Sequence, residues 1–426
     1  MELTIEKLIY GGDGLARVNS EERAKTIFIP YVLPGERVQA SIVVQKPGFS
    51  YAALDQVIEP SHLRSSPPCP YFGECGGCHY QHIGYADQLR FKAEILKETL
   101  RRVGKLELPI EIQSHSSPPL NYRNRTRFHV RTTPAFAIGY FRHGSHELLP
   151  VRECPISSPL INRVLPELWK LAERQKIPRD IEEIELFANG SDDACLIELY
   201  TRESAEEIAL QTFAELFSRA VPEAVGIVSF RNSRKFDGIP DLLWGEPKIN
   251  YAVGGETYGV SAGAFFQTNR HLVSRMVELA VNDCKGKFAL DLYSGVGLFT
   301  LPLARRFERV IAVESSSTSA EDLRANAPAN VKVSAQSTER YLTSAAGKLR
   351  PDLVVVDPPR SGLVTAVCRE VLKLSAKELV YVSCDPATLA RDLKQLMAGG
   401  FNIAEMHLID LFPQTFHIET CTVLRR

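Results

Sequence analysis

Five apolar runs constrain the C-terminal part of this chain: FALDLYS, RVIAVES, NVKVSAQ, DLVVVDPP and ELVYVSCD, each followed by a segment of helix length. Short buried strands that alternate with helices predict a parallel sheet covered on both faces, a doubly wound α/β unit over about 246–426. NIAEMHLIDLF and TCTVLRR then close it as a final hairpin. A sheet of this kind binds its ligands outside the carboxyl ends of its strands. The residues at those ends are therefore the first place to look for chemistry.

Upstream, residues 1–60 read differently. LTIEKLIY, TIFIPYVL and RVQASIVVQ are short strands broken by GGDG, PGE and KPG, a spacing that predicts a small antiparallel barrel of the oligonucleotide-binding kind. Its aromatics Tyr10, Phe28, Tyr31, Phe49 and Tyr51 either stack on bases or fill the barrel. SHLRSSPPCP at 61–70 reads as a linker, and 61–245 as a central α+β domain with an amphipathic helix near 86–103. With 50 Lys plus Arg against 51 Asp plus Glu, the chain has no overall basic character, so any nucleic-acid contact must come from a local patch. No apolar run approaches the ~18 residues of a membrane helix, and the N-terminus lacks signal-peptide character. A cytoplasmic monomer without a membrane partner is expected.

CPYFGECGGC sets Cys69, Cys75 and Cys78 in a C-x5-C-x2-C pattern, and Cys154 repeats the Cys-Pro pair of Cys69. Four thiolates suit zinc or an iron–sulfur cluster, and the uneven spacing leans toward iron–sulfur. The remaining Cys195, Cys284, Cys368 and Cys421 read as core residues. NYRNRTRFHVR places Arg123, Arg125, Arg127 and Arg131 at alternate positions, hence on one face of a strand. That face awaits either a phosphate or the chain's own glutamates.

LDLYSGVG turns the first strand of the sheet through Gly295 and Gly297, close enough for a cofactor to approach the backbone. Glu314 ends the next strand, where an acid binds a ribose diol of either NAD or S-adenosylmethionine. Asp357 ends the fourth strand, beside a rigid Pro-Pro turn. Cys384 ends the fifth, and Asp385 and Pro386 are good N-cap and first-turn residues. A thiol beside a helix N-terminus is expected to ionise readily, which makes Cys384 a nucleophile candidate.

Together these motifs resemble the S-adenosylmethionine-dependent RNA uracil-C5 methyltransferase family across almost the whole chain. The cysteine pattern resembles that family's 4Fe-4S site, and FFQTN its cofactor motif, which implies Gln267. DLYSGVG resembles its glycine loop and implies Tyr293, with departures at Ser294 and Leu298. Glu314 and Asp357 match its ribose acid and its DPPR motif. SCDPATLARDL resembles the nucleophile motif, and FPQTFHIET a base motif that implies Glu419 as the proton acceptor, with His417 as its rival. The first 60 residues resemble the TRAM domain. The resemblance implies RNA as partner, ribosomal 23S RNA in preference to transfer RNA, with Arg123, Arg125 and Arg127 as RNA contacts. An N-methyltransferase is disfavoured by Arg360 after Pro-Pro and by Cys384. A radical enzyme is disfavoured by the C-x5-C spacing. A binding protein without activity is disfavoured by the presence of both Cys384 and Glu419.

Overall fold

The computed structural model describes residues 1–19, 24–107, 110–231, 240–281 and 284–426. In the N-terminal unit, Glu2–Thr4 pairs with Arg37–Lys46, and Lys7–Leu8 pairs with Gly14–Asn19. One short N-terminal segment thus joins both edges of a six-stranded sheet and closes it into a barrel, antiparallel as expected except where Ala24–Ile29 runs parallel to Phe49–Glu59. Leu3, Ile5, Ala16, Ile27, Ile29 and Val38 fill its interior. Phe28, Phe49 and Tyr51 instead cluster on its outside, with ring centroids 5.6–5.8 Å apart.

The central unit is a seven-stranded sheet from Arg125–Arg131 to Asp241–Gly245, backed by helices Pro159–Glu173 and Glu207–Ala220. Ser158 caps the first of these helices, and Pro159 follows in its first turn.

The C-terminal sheet has eight strands, in the order Val331–Ala335, Phe307–Glu314, Gly286–Leu292, Leu353–Val356, Glu378–Ser383, Glu419–Arg425, Asn402–Ile409 and Ile112–His115. The first five are parallel, as the apolar runs predict, and the final hairpin forms with Glu419–Arg425 antiparallel to both neighbours. Strand order reverses between Gly286–Leu292 and Leu353–Val356, which opens a crevice at their carboxyl ends.

One element differs from the sequence reading. The strand Ile112–His115 lies parallel to Asn402–Ile409, and helix Tyr85–Thr99 buries Phe91, Ile95 and Leu96 in the same core as Leu389 and Leu393. This segment, drawn with the central domain, builds on the C-terminal sheet. A four-residue edge strand in which only Ile112 is buried carries no periodicity to read. No described helix is long and apolar enough to cross a membrane.

Candidate active site

At the switch in strand order, Tyr293 turns the chain at φ 62° and Gly295 continues the turn at φ 55°. Gly297 adopts φ 102°, and a Cβ there would sit 2.8 Å from Leu323 and 2.9 Å from Leu301, so only glycine fits. A bulky residue held at positive φ costs conformational energy and is characteristic of functional turns. Glu314 ties the turn down. One of its carboxylate oxygens accepts from the Gly295 N–H at 2.8 Å, and the other from the Ser315 and Ser316 N–H groups at 2.7 Å each. Tyr293 lies half-buried beside Thr338.

Two carboxyls stand at the base of the crevice. Burial pushes Asp291 up to about 7. Thr300 donates to one of its oxygens, and the other has no partner. Burial and the neighbouring Asp291 charge also push Asp357 up to about 7. Carboxyls held near neutrality in this way ionise readily once a cation arrives. Gln267 is buried on the loop between strand Glu256–Ser261 and helix Val273–Val281. Asn269, two residues on, anchors that loop by donating to the Leu411 carbonyl at 3.1 Å and the Ser117 hydroxyl at 3.2 Å.

Cys384 follows the strand Glu378–Ser383, and Ser383 pairs with Thr420. One step further along the same antiparallel ladder, Glu419 lies beside Cys384. The two therefore meet although 35 positions separate them in the sequence. Burial, then the Glu419 and Asp357 carboxyls, push the Cys384 thiol up to about 12, with Arg360 pulling the other way. This corrects the expectation of an easily ionised thiol. Asp385 caps the following helix as predicted, accepting from the Ala387 and Thr388 N–H groups at 3.0 and 2.9 Å. Its negative charge offsets the positive helix end that would have favoured a thiolate. Glu419 is only 5 % exposed, and burial followed by Asp357 raises its carboxyl well above the usual range. His417 receives a hydrogen bond from Arg360 at 3.1 Å, and burial with that positive charge pushes it down to about 4.

The loop that delivers His417 and Glu419 is pinned from several sides. Lys92 and Asp410, both fully buried, form an ion pair at 2.6 Å, and Lys92 also donates to the Phe412 carbonyl at 3.0 Å. Tyr122 donates to the Pro413 carbonyl at 2.9 Å. The His79 and Tyr80 N–H groups, which immediately follow Cys78, donate to the Gln414 carbonyl at 2.8 and 2.9 Å. From the barrel, Tyr10 donates to Asp385 at 3.3 Å and meets Phe416 edge-on at 5.5 Å. Sequence reasoning passed over Lys92 and the electrostatic part played by Arg360. Lys92 had a signal, since it sits on the apolar face of FKAEIL between Phe91 and Ile95.

The cysteines form a second site. Cys69, Cys75, Cys78 and Cys154, all free thiols, line one cavity of about 560 Å³ together with Tyr140 and Arg123. Among the described residues, no group of three or more His, Cys, Asp or Glu side chains is placed to hold a single metal ion. Cys195, Cys368 and Cys421 are buried in the cores, and Cys284 is half-buried against Glu378.

Glutamates meet two of the four members of the arginine row. Arg125 pairs with Glu185 and, at 3.1 Å, with Glu198. Arg127 pairs with Glu185 at 2.6 Å and donates to Tyr200 at 2.6 Å. The acids come from the adjacent strands Ile181–Ala188 and Cys195–Thr201, so Arg125 and Arg127 spend their charge inside the protein. Arg131 is exposed at the end of its strand. Arg123 faces the cysteine cavity.

Comparison with known proteins agrees with this geometry. The tRNA (Uracil-5-)-methyltransferase family matches residues 84–426, and the TRAM domain matches residues 1–54. An RNA methyltransferase of Aquifex aeolicus is 34% identical over 431 residues, covering 100% of this chain and 98% of that one. The 23S rRNA (uracil(1939)-C(5))-methyltransferase RlmD of Halomonas elongata is 34% identical over 442 residues, covering 99% of this chain and 89% of its own length. The Pyrococcus abyssi tRNA (uracil-54, C5)-methyltransferase, solved with S-adenosyl-L-homocysteine, shares the fold over 100% of both chains with a TM-score of 0.76 at 24% identity. An N-terminal TRAM barrel joined to a doubly wound sheet with cysteine and glutamate at one strand end thus places this chain in the tRNA (uracil-5-)-methyltransferase family, as an S-adenosylmethionine-dependent RNA uracil-C5 methyltransferase.

Proposed function

We propose that the protein methylates carbon 5 of a uridine in 23S ribosomal RNA through a transient covalent bond from Cys384. The observation that carries the reading is the apposition of Cys384 and Glu419 at the end of one strand pair, next to Asp357 and Arg360. Ribosomal RNA is favoured over transfer RNA because a 23S rRNA enzyme matches this chain at 34% identity over almost its full length. The solved tRNA enzyme, at 24%, speaks for the fold alone. Every group invoked comes from one chain, so a monomer suffices.

Carbon 5 of uracil is a weak nucleophile. Cys384, as thiolate, adds to carbon 6, and the displaced π electrons pass through carbon 5 to the 4-oxygen as an enolate. S-adenosylmethionine, when bound, would supply the methyl group to carbon 5 from its sulfonium and depart as the neutral thioether. Glu419, as carboxylate, removes the hydrogen of carbon 5. The electrons of that C–H bond restore the 5,6 double bond and expel the Cys384 thiolate. Burial favours the protonated form of both groups in the ligand-free protein, so their ionisation belongs to the complex. The sulfonium of a bound S-adenosylmethionine would add positive charge to that of Arg360 and favour both ionised forms. Glu419 is preferred to His417 as the base, because the Arg360 hydrogen bond occupies the imidazole lone pair and leaves it weakly basic. Glu314 is assigned to the ribose hydroxyls, and Tyr293, Gln267 and Asp357 to the rest of the cofactor.

The uneven spacing of the cysteines leans toward a 4Fe-4S cluster over zinc, and the four thiols border one cavity. Methyl transfer needs no electron, so the cluster would supply cross-links between Cys69–Cys78 and Cys154. Arg123, Tyr122 and the His79–Tyr80 backbone would carry that order into the loops around the crevice.

Glu419→Gln keeps the shape and removes the base. Attack and methylation should proceed and elimination should stall, which leaves a methylated protein–RNA complex that survives a denaturing gel. An adduct mapped to a cysteine other than Cys384 would overturn the reading. So would Glu419→Gln turning over normally while His417→Ala accumulates the complex.

A further inference from the structure

Arg123 and Arg131 are the members of the arginine row with no carboxylate partner among the described residues; Arg131 is exposed at its strand end, whereas Arg123 is half-buried. The Arg123 guanidinium lines the cavity that Cys69, Cys75, Cys78 and Cys154 share. The groups facing its charge are the Tyr140 and Tyr122 phenols and the Cys154 and Cys78 thiols, and its own charge acts on Cys75. One bond steadies it, from its Nε to the Arg125 carbonyl at 3.1 Å. A half-buried guanidinium left without an acid is costly unless an anion completes it.

The backbone around Arg123 is equally specific. The Arg123 N–H donates to the Ile156 carbonyl at 2.8 Å, and its carbonyl accepts from Ser158 at 2.8 Å, which stitches it to the loop of Cys154. On the other side, the Asn124 N–H donates to Thr268 and the Arg270 N–H to Tyr122, both at 3.1 Å, which stitches the same segment to the loop of Gln267. Residues 122–124 are thus a shared wall between the cysteine cavity and the cofactor loop.

We propose that Arg123 is the counter-charge of an anionic cluster held by the four cysteines, and that its backbone transmits the presence of that cluster to the cofactor loop. The inference rests on the cluster reading above. Four thiolates with a 4Fe-4S core carry net negative charge, and one fixed cation stabilises that charge most in the reduced form. Removing the cation should therefore lower the cluster's reduction potential and loosen its hold on iron. Losing the cluster should weaken cofactor binding through the Gln267 loop, with no cysteine touching the cofactor.

The test uses full-length protein purified anaerobically as wild type, Arg123→Met and Arg123→Lys. Iron and zinc are counted per chain, the cluster's potential is titrated against an added reductant, and iron release to a chelator is timed. S-adenosylhomocysteine affinity is measured by calorimetry before and after stripping. Arg123→Met should shift to a lower potential and release iron about tenfold faster, the scale of one charge-assisted contact. Arg123→Lys should stay near wild type, and stripped wild type should bind the cofactor product more weakly. If wild type holds iron and Arg123→Met matches it in potential and in release, the inference fails while the cluster reading stands. Unchanged S-adenosylhomocysteine affinity after stripping overturns the transmitted effect. If wild type holds zinc or no metal, the cluster reading fails and takes this inference with it.

Discussion

The ionisation of Cys384 is where the structure departs furthest from simple expectation. An ordinary value of 9.0 rises to about 12, so the thiolate fraction near neutral pH falls about a thousandfold. Burial leads, and the Glu419 and Asp357 carboxyls add to it, while Arg360 is the cation working in the opposite direction. A cationic ligand in the crevice should reverse much of this. An opposite charge within about 4–6 Å favours the ionised form by a factor of about ten to a thousand. Alkylation by iodoacetamide reports the thiolate directly. Quantifying modified Cys384 by peptide mass spectrometry isolates it from the other eight cysteines. In the ligand-free protein its rate should still be climbing at pH 10. Sinefungin, which carries an amine in place of the sulfonium, should raise the rate at pH 8 by about tenfold or more. S-adenosylhomocysteine, neutral at the same atom, serves as the steric control and should not raise it. The reasoning is refuted if ligand-free Cys384 reacts with an apparent pKa below 8. The helix end would then outweigh both burial and the Asp385 cap. Equal rates with sinefungin and S-adenosylhomocysteine would refute the electrostatic role of the sulfonium.

Three further outcomes are expected. Glu314→Ala removes a carboxylate that accepts three backbone N–H bonds, charge-assisted contacts worth about 1.5–3 kcal/mol each; calorimetry should show S-adenosylhomocysteine affinity falling about tenfold or more, and unchanged affinity would count against the placement. Lys92→Met strands a buried carboxylate at Asp410 and should cost about 3–5 kcal/mol in urea unfolding, with Lys92→Met/Asp410→Leu recovering much of the loss. Asp291 has its folded pKa raised to about 7, so its contribution to stability is full at low pH and fades as pH rises through 7. Asp291→Asn should therefore raise the melting temperature at pH 8 and leave it nearly unchanged at pH 4, and an equal effect at both would contradict the sign.

Why some of this was readable and some was not follows from where the partners lie. The strand ends carrying Glu314, Asp357 and Cys384 are local, since each apolar run announces its own carboxyl terminus. The Asp385 cap is likewise local, and it forms. What its carboxylate does to the helix end is an electrostatic balance that no pattern displays. The alternate spacing of Arg125 and Arg127 placed them correctly on one face. Their acids, Glu183, Glu185 and Glu198, arrive from strands 56–73 residues away, and cross-strand pairing of that reach leaves no mark in spacing. Helix Tyr85–Thr99 was visible as amphipathic, but an apolar face does not say which sheet it will cover.

The contact of Tyr10 with Asp385 and Phe416 has a consequence for how the barrel can serve RNA. A binding module on a loose tether acts by raising local concentration, and its reach varies with its linker. This barrel is docked on the cap of the helix that follows Cys384 and on the loop that leads to Glu419. Its outer aromatics Phe28, Phe49 and Tyr51 are therefore held at a set distance from the nucleophile. A module fixed in this way works as a ruler. Any base that stacks on those aromatics would lie at one set distance from Cys384.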